Sequence, residues 1–556
     1  MANKFQRIYT SDFETTSLAN YEKDGYVRVY LWSIVSLDRT EKYYGYDIIS
    51  WLEQSVKLQI DLMFFHNLRF DGAFIVDYMV RAGYEYGKDY EIIVDGMNIW
   101  YQITIHTYYG SITIWDSLKK FPNQSVNSIA KLYGIEGKKE KPHFERYLPR
   151  DYVPYKEEIE YCIQDSAIIA YAIEQQFKDG HKGMTLSSDA FKEVQSTLGG
   201  FMGWRAKMPH LSLEKDAFIR ESYKGGWVYV NPLYQNQELD NVTVFDVNSL
   251  YPWVMKFCDL PWGAAMESVR KPSDDYLYVV KFKANFQTKD DHLPTVQIKN
   301  NPLFKETEYI EQCFDYPTLT MTSIDYKLFK DHYDVFDEDI IKYYAFKKKK
   351  GLLSDYIDYW TNVKIEATKN HDSARRYLAK RYLNSPYGKT GMRPDRINKV
   401  PVLDENGEIR FEPHQELADG IYVPYASFVC AQARNKTIRS AQKHYDQFVY
   451  ADTDSLHLLG DDFSGLEIDD YKLGYWKIEG QFEKGKYIRP KTYIHADRNF
   501  NVQEIKCAGM PDNIKEKCTW DMFKDGQEFD GKIMQKRVPG GVVLVPTTYK
   551  IKELVE

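Results

Sequence analysis

The chain has 556 residues, of which 43% are hydrophobic and 28% charged. That is a folded globular composition, long enough for three or four domains, and it excludes a disordered, collagenous or low-complexity chain. The formal net charge of −8 does not by itself point to a nucleic-acid binder, but residues 341–390 carry 12 Lys or Arg against 4 Asp or Glu, a local +8 that leaves −16 for the remainder. A basic stripe on an acidic body suits a surface that grips a polyanion, although the lysine run at 347–350 alone reads equally as a solvated face. Residues 1–7 lack the apolar core of a signal peptide, and no apolar run reaches the length of a membrane span. The six cysteines form no CxxC pair, which predicts reduced, buried thiols, no structural zinc and a cytoplasmic setting.

In chain order, residues 8–15 read as a strand whose alternation puts Asp12 and Glu14 on one face. Residues 64–73 read as a strand followed by a helix start that carries Asp71, and Tyr161 and Asp165 stand at i and i+4 on one side of a helix. In Tyr223-Lys224-Gly225-Gly226-Trp227 two glycines permit a close backbone approach to phosphate, or simply a turn. Residues 243–252 are a β-rich run ending in Asp246, then a turn and Tyr251. Residues 258–355 mix strands such as 277–282 with a helical run at 323–329, and 356–391 predict a helical pair. There Lys380, Asn384 and Tyr387 fall at i, i+4 and i+7, one face of one helix. Pro386 costs that helix about 3 kcal/mol, so it is expected to end or kink by Leu383, or to loosen in its last turn. Residues 392–422 read as a light hairpin of short strands turning at Asn406-Gly407.

Tyr450-Ala451-Asp452-Thr453-Asp454-Ser455 reads as strand, tight turn, strand, lifting two carboxylates out of a buried sheet. Close carboxylates on a rigid edge repel unless a cation lies between them, and hard oxygen ligands suit Mg²⁺. The bland alternative is a polar hairpin tip. Residues 489–494 read as a half-buried strand and 538–545 as part of a hairpin.

Three of these stretches, DxxSLYP from Asp246, KxxxNSxYG from Lys380 and YxDTDS from Tyr450, resemble the motifs of family B DNA polymerases, and the three acidic stretches before them resemble those of DEDD-type 3′–5′ exonucleases. With the insertions at 258–355 and 392–422, which cellular family B enzymes lack, the chain from Asp12 to Lys552 is similar to the protein-primed family B polymerases of phi-twenty-nine-type bacteriophages. The resemblance implies an α/β multidomain fold: an RNase H-like 3′–5′ exonuclease domain at 1–186, then a right hand. Its palm would take 187–257 and 423–523, with a first terminal-protein-region insertion at 258–355, fingers at 356–391, a second insertion at 392–422 and a thumb at 524–556. The implied function is DNA-directed DNA synthesis with proofreading, primed by a terminal protein, processive and strand-displacing. The implied setting is a monomer, off the membrane, in the cytoplasm of an infected bacterium.

For synthesis the resemblance implies Asp246, Asp454 and the Val247 carbonyl as ligands of two Mg²⁺, which Mn²⁺ can replace, with Asp452 beside them. Lys380 would clamp the dNTP triphosphate, Asn384 and Tyr387 would pack on the nascent pair, and Tyr251 would lie under the sugar. Tyr223, Gly225 and Gly226 would hold the template, Lys491 and Tyr493 the primer terminus, and Asp325 the terminal protein. The 392–422 hairpin would encircle the DNA and part the downstream duplex. For excision it implies Asp12, Glu14, Asp71 and Asp165 on a second metal pair, with Tyr161 orienting the water. Thr15, Asn67, Phe70, Ser117 and Leu118 would bind the single-stranded end, Phe70 by stacking. A catalytic lysine is placed at Lys139, near the start of the 138–141 run, in a loop that departs from the family pattern. Two rivals stay open on the residues alone. A stand-alone exonuclease has no use for the KxxxNSxYG helix with the DTD hairpin, and a non-catalytic relative would be expected to lose acids that are all present.

Overall fold

The computed structural model describes residues 5–137, 146–297, 309–405, 407–418 and 420–552. Two seven-stranded sheets carry the acids. The first has the spatial order Lys42–Gly45, Val29–Ser36, Ile8–Thr15, Leu62–Phe65, Gly110–Asp116, Trp100–Thr107, Tyr90–Val94. Ile8–Thr15, Leu62–Phe65 and Gly110–Asp116 run parallel, and the other neighbours pair antiparallel. Alternation along Leu62–Phe65 builds a core on each face: Leu62 and Phe64 pack with the Lys156–Lys178 helix, Met63 and Phe65 with Trp51 and Phe74 of the Ile48–Lys57 and Leu68–Arg81 helices. The carboxyl ends of the parallel strands therefore open at one edge of a rigid, doubly covered sheet. Among the described residues, no helix is long and apolar enough to cross a membrane.

The second sheet is antiparallel throughout, in the order Val502–Cys507, Thr492–Ala496, Trp476–Arg489, Leu239–Val247, Ser455–Leu459, Phe448–Asp452, Val228–Val230. The largely buried helix Val423–Lys443 backs it within the largest core. Within 258–355 the described residues form a separate sheet in which Tyr276–Thr288 pairs with Tyr333–Lys349, Gln312–Cys313 and Thr318–Thr322, with the helix Ser323–His332 packed against it.

The helical pair is Ser354–Lys369 and Ser373–Thr390. The second helix does not end by Leu383, one of the outcomes expected, but runs through Pro386 to Thr390. Proline removes the amide that would bond the carbonyl four residues back, that of Tyr382. This carbonyl instead accepts from the Tyr356 hydroxyl of the neighbouring helix at 2.9 Å, in a fully buried setting. Lys380, Asn384 and Tyr387 thus keep their common face.

The 392–422 hairpin is longer and better anchored than its sequence suggests. Asp395–Leu403 and Ile409–Leu417 pair without a register shift, Gly407 takes a φ of 75°, and Asn406 lies outside the described residues. Asp95 bridges to Asn398, and Lys399 Nζ donates to Asn98 Oδ1 at 2.7 Å. The Phe411 ring lies 5.4 Å from Trp100, and the Arg537 guanidinium sits 3.8 Å over it. Arg537 belongs to the C-terminal hairpin, Glu528–Val538 and Gly541–Lys550. The tip of that hairpin buries Val538, Val542 and Val543 in the core of the first sheet, and its base packs Phe529 and Tyr549 against Ile494 beside the second. Gly540 and Gly541 allow the contact: a Cβ there would overlap the Val27 backbone or the Phe74 ring.

Tyr356→Phe should cost about 1–3 kcal/mol, read from the urea midpoint of unfolding, because it strands a buried carbonyl. In a Pro386→Leu background, where the restored amide serves the same carbonyl, the cost should shrink. Equal costs in both backgrounds would show that the hydroxyl does not replace the missing amide.

Candidate active sites

The first site lies where three strands of the second sheet meet. Asp246 stands opposite Ser455 on one neighbour and Lys477 on the other. Thr453, at φ 62°, makes the tight turn, with Asp454 N donating to the Asp452 carbonyl at 2.7 Å and Val247 N to the Asp454 carbonyl at 2.8 Å. These bonds hold Asp454 against Asp246. Burial, then Asp454 and Glu479, push the Asp246 carboxyl up to about 7, and Asp454 is also raised, by burial and then by Asp452 and Glu479. Glu479 is the extra residue of a β-bulge between Ile478 and Gly480, which re-aims its side chain from the strand's normal alternation. Lys380 acts on both aspartates in the opposite sense.

Among the described residues, no three His, Cys, Asp or Glu side chains gather as a complete metal cage. Mg²⁺ does not require one, since it keeps several waters and takes one or two carboxylates together with substrate phosphates. Asp246, Asp454 and the Val247 carbonyl are a donor set of that kind. Facing them, Lys364 donates to Ser249 Oγ at 3.2 Å, and its ammonium is shifted down by burial and by Lys380 and Arg376. Three cations crowded above two crowded carboxylates are an anion site over a cation site. Tyr251 and Tyr387 stack beside it with centroids 4.2 Å apart.

A cavity of about 620 Å³ joins Tyr251, Asp452, Asp454, Glu479, Lys491 and Tyr493. Lys491 Nζ bonds both Asp452 oxygens, at 2.7 and 2.9 Å, and its amide donates to the Tyr450 hydroxyl at 3.0 Å. Asp452 is thereby paired, whereas among the described residues Asp454 makes no ion pair. Gly226 has a role that the sequence did not disclose, because a Cβ there would overlap the Thr453 side chain of the Asp452–Asp454 turn. Gly225, open to space, presents its carbonyl with that of Lys224 to Arg434 Nη1, at 2.6 and 2.7 Å. Tyr223 packs against Gly391 at the end of the Ser373–Thr390 helix. Asp325 is half-buried, and both its oxygens bond the buried Arg434, at 3.1 and 2.7 Å.

The second site is a cleft of about 1400 Å³ at the edge of the first sheet, lined by Asp12, Glu14, Asp71, Tyr161 and Asp165 together with Thr15, Asn67, Phe70 and Leu118. Burial, then Glu14 and Asp116, push the Asp71 carboxyl well up, against backbone donors at Asp71 and Phe13. Buried Asp116 accepts from the amides of Asn67 and Leu118, both at 3.0 Å, and so orients two of the expected strand contacts. Ser117 needs correction: it is fully buried and bonds His66 Nδ1 at 2.8 Å, so His66 and not Ser117 reaches the cleft. Lys139 lies outside the described residues.

Comparison with known proteins agrees with this geometry. The family model for DNA polymerase type B, organellar and viral, matches residues 145–472. The DNA polymerases of Bacillus phages Nf and phi29 are each 36% identical, over 98% of this chain and 100% and 99% of the relatives. The solved structure of phi29 DNA polymerase with primer-template DNA and incoming nucleotide substrates superposes with a TM-score of 0.92 at 34% identity, covering 98% of this chain and all of that one. The chain belongs to the type B DNA polymerases, among the phi29-type phage enzymes.

Some of the residues around the polymerase's two sites carried no signal in the sequence. Glu479 depends on a bulge, and Ile533, Val542, Leu544 and Pro546 of the C-terminal hairpin reach the second cleft across some 400 residues of chain. Gly226→Val should displace the Asp452–Asp454 turn and lower primer extension by about 10²-fold, the order expected for a 1 Å misplacement. Gly225→Ala, with nothing within 4 Å of its Cβ, should extend primers nearly as the parent does. Equal loss in both variants would remove the steric argument.

Proposed function

We propose that this polymerase copies a DNA template from dNTPs at the first site and removes mismatched 3′ ends at the second, by 3′–5′ exonucleolysis. The observation that carries the reading is the presence of two carboxylate sets on two different sheets, one beneath a cluster of Lys364, Arg376 and Lys380, the other in a cleft whose described lining residues include no Lys or Arg. In synthesis the three cations gather the triphosphate, and Tyr387 packs on the nascent pair with Asn384 near it. Tyr251, stacked beneath Tyr387, closes the side of the pocket where a 2′-hydroxyl would fall. Lys491 and Tyr493 hold the primer end. Mg²⁺ at each carboxylate set, or Mn²⁺ in its place, would supply the paired Lewis-acid charge that in-line displacement at phosphorus requires. In excision Asn67, Leu118 and Phe70 orient the frayed end, and Tyr161 holds the attacking water.

Priming by a terminal protein is supported by the phage relatives and by the two insertions, with Asp325 of the first insertion as the expected contact. Strand displacement is supported by the anchoring of the 392–422 hairpin: Trp100 and Arg537 on either side of Phe411 make it a braced wedge. The reading takes the chain as a monomer at work in the host cytoplasm.

Asp246→Ala or Asp454→Ala should abolish dNTP incorporation and leave degradation of single-stranded DNA near the parent level. Asp12→Ala combined with Asp165→Ala should do the reverse. A folded Asp454→Ala protein that lost both activities would contradict two separate sites.

A further inference from the structure

Beneath the Asp452–Asp454 turn runs a buried polar chain that none of the motifs uses. His457 Nδ1 lies 2.7 Å from Tyr487 Oη, Tyr487 Oη lies 2.7 Å from His495 Nε2, and His495 Nδ1 lies 3.1 Å from Glu504 Oε2. Glu504 in turn pairs with Lys506 at 3.0 Å. His457, Tyr487 and His495 are all fully buried. Their partners settle the protons. A carboxylate can only accept, so His495 donates through Nδ1 and accepts at Nε2. Tyr487 must then donate its single proton to His495, and His457 donates its Nδ1 proton to Tyr487. Burial agrees, since it holds both imidazoles below their ordinary pKa and Tyr487 above its own. The bonds all run one way, from His457 to Glu504, and a reversal at any link would leave a buried donor facing a donor.

The chain joins the strands that carry the site. His457 lies on the Ser455–Leu459 strand, directly behind the Asp452–Asp454 turn and opposite Tyr450. Tyr487 and His495 lie on the two strands whose connection bears Lys491, and Tyr493 lies between them in sequence. The Tyr493 ring rests on all three, with centroids 5.1 Å from His457, 5.3 Å from Tyr487 and 5.0 Å from His495.

We propose that His457, Tyr487, His495 and Glu504 are positioning residues that lock the Lys491–Tyr493 loop to the Asp452–Asp454 turn, and so set the grip on the primer terminus without touching DNA. This rests on the reading of Lys491 and Tyr493 as primer contacts. The test measures primer-template Kd by fluorescence anisotropy, dNTP KM at saturating DNA, and Tm for each variant. Tyr487→Phe keeps the ring and breaks both of its hydrogen bonds. It should weaken primer-template binding by about fivefold to tenfold, roughly the worth of a lost hydrogen bond, with dNTP KM unmoved. Glu504→Gln still offers an oxygen to His495 and should bind like the parent, whereas Glu504→Leu should behave like Tyr487→Phe. Should Tyr487→Phe fail to fold, the Glu504 pair, at the solvent end of the chain, decides alone. A lowered Tm with Kd within about twofold of the parent for Tyr487→Phe and Glu504→Leu would overturn the proposal and leave the chain purely structural. Lys491→Ala is the control. If it too binds primer-template normally, the primer-contact reading fails instead.

Discussion

Two carboxylates that cannot comfortably ionise together are the constraint on which this structure turns. Asp246 and Asp454 are pressed side by side by backbone bonds of the sheet, Val247 N to the Asp454 carbonyl among them, and burial raises both. Solvent would relieve that repulsion cheaply at a surface. In a buried sheet only a bound proton or cation relieves it. On the proposed reading that cation is a metal ion, and the rest of the polymerase domain holds the two carboxylates in place for it.

That support is visible as substitutions of one interaction for another. Proline deletes an amide in the Ser373–Thr390 helix, and the Tyr356 hydroxyl takes over its carbonyl, so Lys380 and Tyr387 remain aligned above the carboxylates. Arg434, buried and neutralised by Asp325, fastens the Lys224 and Gly225 carbonyls, while Gly226 makes way for Thr453 in the turn. Asp452 is ion-paired to Lys491, while among the described residues Asp246 and Asp454 make no direct ion pair and feel Lys380 only through space. A similar economy appears in the other domain, where one buried acid, Asp116, orients both Asn67 and Leu118.

Most of this site was legible before any coordinates, because its chemistry sits on short contiguous motifs. The acid pair on the Ile8–Thr15 strand, the DTD hairpin and the face of Lys380, Asn384 and Tyr387 all follow from periods of 2 and 3.6. What stayed hidden depends on tertiary neighbours. The helix through Pro386 required a donor from another helix, and Glu479 required a bulge whose register only the Leu239–Val247 strand defines. Ser117 looked like a surface contact and proved internal, because burial cannot be read from a polar letter alone. The hairpin at 392–422 looked light because its anchors, Trp100 and Arg537, come from the far ends of the chain.

The claim that the Asp246–Asp454 repulsion is the metal site is tested most directly by anomalous diffraction from a Mn²⁺ complex with primer-template DNA and an incoming dNTP. The account predicts anomalous peaks ligated by Asp246, Asp454 and the Val247 carbonyl, with Asp452 still paired to Lys491. Peaks held instead by Asp452 and Glu479, with Asp246 unligated, would contradict it.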